Sequence, residues 1–104
     1  MKMTQEKILH YLKELKPELE AKGIADIALF GSYATQKENL YSDIDIAIRK
    51  KEDFLDKYSA YDYFNLISNL KTKLLKELHR SSDVFDLDSH SSFKQQIEKE
   101  LIYV

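Results

Sequence analysis

Residues 31–45 read GSYATQKENLYSDID, and the fold turns on this stretch. Just before it, residues 24–30 (IADIALF) form a short apolar run, which predicts a buried strand. From near its end, Asp43 to Arg49 alternates acid, Ile, acid, Ile, Ala, Ile. That period of two predicts a second strand with one face in the core. Between the strands, residues 33–37 are expected to form a short helical turn and residues 38–42 a polar loop.

Working outward, Ile8, Tyr11, Leu12 and Leu15 recur at helical spacing, with Thr4 placed to cap the start. Pro17 suits a first turn better than a helix interior, so a break near Lys16 or a fresh start at Pro17 is expected. The helix should stop at Gly23. Residues 50–57 are charged and read as a loop. Residues 60–79 carry the longest helical pattern, with Tyr63, Phe64, Ile67, Leu70, Leu74, Leu75 and Leu78 as its apolar positions. A third strand is expected at residues 83–87, a last helix at 92–100, and an extended end at 101–104 that joins the sheet. Strands alternating with helices predict an α/β or α+β fold, a small mixed sheet flanked by helices. The 104 residues fit one domain, residues 1–104.

Composition narrows the chemistry. The net charge is −2, and acids and bases are interleaved, so no basic stripe for direct nucleic-acid contact is expected. A small basic patch remains at Arg49, Lys50 and Lys51. The absence of cysteine excludes disulfides and Cys-based zinc sites. His10, His79 and His90 share no ligand-like spacing. No apolar run suits a signal peptide or a membrane span, so a cytoplasmic location is the expectation.

The 31–45 stretch carries the candidate chemistry. Residues i and i+2 of a strand share a face, with Cα atoms roughly 6.5–7 Å apart. Asp43 and Asp45 can thus converge on one hard cation or clamp a pair. Mg²⁺ suits such a site, since it is held by one or two carboxylates plus substrate phosphates. Gly31 lacks a Cβ and lets a backbone approach phosphate closely. Ser32 offers a hydroxyl and an amide beside it. Either Gly-Ser or Asp-x-Asp alone is commonplace; their order and spacing together are far more specific. Tyr33 and Tyr41 flank the motif and could stack on a base, although packing explains them as well.

LFGSYAT, the gap that follows and SDIDIAI resemble the signature of the polymerase β-like nucleotidyltransferases in their minimal (MNT) form. The resemblance extends over nearly the whole chain, through DVFDLDS to LIYV at the end. It implies a palm-like nucleotidyltransferase fold, ATP as substrate and one or two Mg²⁺ ions. It also implies a third acid on an adjacent strand. Asp83, Asp86 and Asp88 are the candidates there; period two sets Asp83 and Asp86 on opposite faces, and the family pattern places the acid at the strand's start, on Asp83. Asp88 would lie past the strand, as a cap for the last helix. One departure is present: the family's usual second glycine is absent, and Thr35-Gln36 stands there. The resemblance further implies an antitoxin that moves AMP from ATP to a hydroxyl, such as a tyrosine, on a HEPN-domain ribonuclease toxin. Two rival expectations are neutralisation by binding alone and service as the catalytic subunit of a small-molecule transferase.

Overall fold

The computed structural model describes residues 2–89 and 91–104; His90 lies outside them. Nine elements follow in order: α1 Gln5–Ala21, β1 Ile24–Phe30, α2 Gly31–Thr35, β2 Ile44–Lys50, α3 Phe54–Lys57, α4 Ala60–Leu78, β3 Ser82–Asp86, α5 Ser92–Ile97 and β4 Ile102–Tyr103. The four strands form one sheet in the order β3-β2-β1-β4. β1 is antiparallel to β2 and to β4, whereas β2 and β3 run parallel. The expected mixed sheet is therefore present.

The sheet has two unlike faces. On one, Ile27 and Leu29 of β1 and Ile44, Ile46 and Ile48 of β2 pack against Ile8, Leu12, Leu15 and Leu19 of α1 and Leu66, Leu70 and Leu74 of α4. On the other, Ala28, Phe30 and Ala47 meet Leu87 and Ile97, with Phe85 packed against them. This second face is thinly covered, and it is the face that carries the acids.

Helix α1 starts where expected, because Thr4 accepts the Lys7 amide at 3.2 Å. It does not break at Pro17, which lies inside it. Leu15 and Leu19 are buried on either side of Pro17, so their packing carries the helix through a residue that disfavours it. The 50–57 segment is not all loop: Phe54 is buried under Gly23 and Tyr58 and nucleates α3. In α4 the buried stripe is Leu66, Leu70 and Leu74, with the expected Tyr63, Ile67 and Leu78 packed against the same core; Leu66 is the addition. Phe64 is 68% exposed and Leu75 54% exposed, so neither belongs to the core. Ser59 caps α4 with a reciprocal Asp62 bond, a capping box.

Candidate active site

The site lies where β1 ends and where β2 and β3 begin. Phe30 pairs with Asp45 across β1 and β2, so the turn that follows Phe30 faces the acidic start of β2. Asp45 pairs with Asp83 across β2 and β3. Parallel partners on one face sit about 4.8 Å apart along the sheet. Asp43 lies one residue before β2 and is exposed; Asp45 is half-buried. Ile44 and Ile46, between and after them, are fully buried on the opposite face. Burial of the isoleucines therefore turns Asp45 toward the open face.

Gly31 opens α2 with φ +76°, a left-handed conformation that favours glycine. A Cβ at Gly31 would collide with the Asp45 carboxylate. The missing side chain is thus what lets the turn press against the carboxylate. Ser32 follows, half-buried at the start of the same turn. Tyr33, next along, is buried in the core, which excludes it from stacking on a base. Tyr41 is 91% exposed on the loop leading to Asp43.

The loop ends of α2 are tied down. Gln5 Nε2 donates to the carbonyls of Tyr33 and Ala34, at 3.0 and 2.9 Å. Thr35 Oγ1 donates back to Gly31 O at 3.1 Å. Gln36, at the position of the family's usual glycine, adopts φ +58°. The turn thus keeps the left-handed geometry a glycine would favour, with glutamine in its place.

Electrostatically the site is frustrated. The Asp45 carboxyl is pushed up to about 6, first by burial, then by Asp83, Asp43 and Glu100. Among the described residues, Asp43, Asp45 and Asp83 have no lysine or arginine partner. Hard oxygen donors with unbalanced charge fit a divalent cation, which would relieve the repulsion. No three of these side chains, among the described residues, already surround a single point as an ion's ligands.

The other acids on β3 are used elsewhere. Asp86 pairs with Ile48 in register, three residues along the strand from Asp83. Its carboxylate accepts Lys50 Nζ at 2.7 Å, beside the Tyr63 ring. Burial raises the Asp86 carboxyl, but Lys50 and the Asp88 amide outweigh it and hold it below the usual range. Asp88 is not a helix cap: its Oδ2 accepts the Lys50 amide at 2.9 Å, and Ser91 caps α5. Nor are the three basic residues free for phosphate. Arg49 pairs with Asp26, Lys50 with Asp86 and Asp88, and Lys51 Nζ donates to Glu20 O at 2.9 Å.

One residue escaped the sequence reading. Glu100 Oε1 accepts the Gly31 amide at 3.0 Å. No local pattern marks it; only the return of the chain end beside β1 brings it there.

A mixed sheet with a Gly-Ser turn facing an Asp-x-Asp strand defines a nucleotidyltransferase. The chain belongs to the polymerase beta nucleotidyltransferase family, whose model matches residues 6–104. Two Methanocaldococcus jannaschii proteins whose names propose protein adenylyltransferase activity are 33% and 35% identical to it, each alignment covering 97% of this chain and 98% of the relative. Among solved structures, a toxin–antitoxin complex with AMP-PNP superposes with a TM-score of 0.61 at 27% identity, over 97% of this chain and 72% of that one. The MNT antitoxin complex with a tri-AMPylated HEPN toxin from Shewanella oneidensis gives 0.52 at 27% identity, over 95% of this chain and 66% of that one.

Proposed function

We propose that this nucleotidyltransferase moves AMP from ATP to a hydroxyl on a partner protein, a tyrosine of a HEPN-class ribonuclease toxin, and so acts as the antitoxin. The observation that carries the chemistry is the placing of Asp45 against Asp83 on one side and against Gly31 on the other. The protein acceptor is supported by the names of the relatives and by the toxin–antitoxin complexes that share the fold.

In this reading Gly31 and Ser32 receive the triphosphate, the bare Cα allowing close approach and the Ser32 hydroxyl donating to a phosphate oxygen. Asp43, Asp45 and Asp83 would hold one or two Mg²⁺ ions, which supply charge neutralisation for the phosphates and acidify the acceptor hydroxyl. The acceptor oxygen attacks the α-phosphorus, and the bond from that phosphorus to the bridging oxygen breaks. Pyrophosphate leaves, and the hydroxyl proton passes to Asp83. Such transfer asks mainly for positioning and charge balance, which this wall of the sheet offers.

The test uses ATP radiolabelled at the α-phosphate, Mg²⁺ and a HEPN-domain protein offered as acceptor. Label should appear on that protein and not on aminoglycosides offered in its place. Asp43→Asn and Asp45→Asn should each lower labelling by about 10²-fold or more. Undiminished labelling would sink the catalytic assignment. If the variants lose labelling yet still protect cells, neutralisation rests on binding alone.

A further inference from the structure

Gly31 is gripped from two sides by carboxylates far apart in sequence. Asp45 fills the space where a Cβ would stand, and Glu100 holds the amide at 3.0 Å. Phe30, the residue before the turn, makes no side-chain cap of its own. The first N–H of α2 is thus satisfied from 69 residues away.

The position of Glu100 follows from the ladder. β4 pairs Ile102 with Leu29 and Tyr103 with Ala28. Continuing that antiparallel register by two residues sets residue 100 opposite residue 31. Ile97 is buried under the same end of the sheet and fixes the turn at 98–100. Among the described residues Glu100 has no cationic partner, and its charge lies close enough to Asp45 to oppose that group's ionisation. A glutamate kept in so acidic a place must be held by something favourable, and the Gly31 amide is the bond on hand.

We propose that Glu100 is a positioning residue: its carboxylate clamps the Gly31 peptide so that Ser32 is presented to the nucleotide's phosphates. Glycine has the widest backbone freedom of any residue, so an unclamped Gly31 samples orientations that turn Ser32 away. The clamp fixes one of them before nucleotide arrives and removes that ordering cost from binding. It also makes the C-terminal strand part of the site, since β4 sets where Glu100 stands. This inference rests on the nucleotide reading of Gly31 and Ser32.

The experiment measures AMP-PNP binding with Mg²⁺ by calorimetry, and the Gly31 amide resonance by NMR. The proteins are wild type, Glu100→Ala and Glu100→Gln. Glutamine keeps an oxygen that can accept the Gly31 N–H, whereas alanine does not. Glu100→Ala should weaken binding on the order of tenfold and shift the Gly31 amide upfield. Glu100→Gln should stay within about twofold of wild type and keep the amide where it was, since the neutral acceptor retains the bond. Glutamine as damaging as alanine overturns the clamp, because charge would then be what matters. Tighter binding by Glu100→Ala overturns it too, by showing that the carboxylate competes with phosphate. Wild type that binds no AMP-PNP overturns the nucleotide reading, and the clamp's role with it.

Discussion

At the scale of single residues, Asp45 shows how a folded chain can hold a charge at a disadvantage. Its carboxyl is pushed up to about 6 from an ordinary 3.8 by burial and by the acids around it. A group so raised prefers its proton in the folded state. Its contribution to stability is therefore whole below 3.8 and is lost as pH rises through about 6. Without metal, Asp45→Asn should be more stable than wild type at pH 8 by about 1–2 kcal/mol once solvent screening is allowed for. The gap should close at about pH 3, below both pKa values. Urea unfolding in EDTA at the two pH values checks this; a gap of the same size at both would contradict it. Gly31 sits on the other side of that carboxylate. Gly31→Ala adds a Cβ into Asp45 at a positive φ, and should cost about 1–3 kcal/mol as well as displacing the acid. Gln36 and His79 are the opposite case, L residues in the left-handed region at φ +58° and +57°. His79→Gly should raise stability by up to about 1 kcal/mol, read as a higher urea midpoint, because it removes strain at the end of α4.

At the scale of elements, β3 separates two acids that sequence alone left in competition. Register sets Asp83 beside Asp45, and sets Asp86 beside Ile48, where Lys50 neutralises it. Asp83→Asn should therefore abolish AMP transfer, while Asp86→Asn leaves the rate within about threefold and acts on stability instead. Labelling rates of the two variants against their unfolding midpoints separate the roles, and equal loss of transfer would refute the division. The same logic explains α4. Its apolar positions were legible, but Leu66, Leu70 and Leu74 face the sheet while Phe64 and Leu75 face outward. A helix with apolar residues on more than one side has no single stripe in its sequence, and only docking chooses which is buried. Pro17 is a further example: local preference argued for a break, and the packing of Leu15 and Leu19 overrode it.

At the scale of the whole molecule, one core on one face of the sheet holds everything else in place. Leu12 is fully buried there, between α1 and the strands. Leu12→Ala should cost about 2–5 kcal/mol, a large share of the roughly 5–15 kcal/mol that stabilises a domain. A urea midpoint close to that of wild type would show that this face is not the main support. The sequence by itself determined the strands around the motif, the alternation of strands with helices, the Gly31-Ser32 turn and the Asp43 and Asp45 spacing. It could do so because these features are local, written in a period of two and in a glycine that the turn requires. Only the tertiary structure decided which β3 acid meets Asp45, which face of α4 is buried, and that Glu100 reaches Gly31. Asp45 and Asp83 are 38 positions apart and Gly31 and Glu100 are 69 apart, and strand register and packing, not local pattern, bring them together.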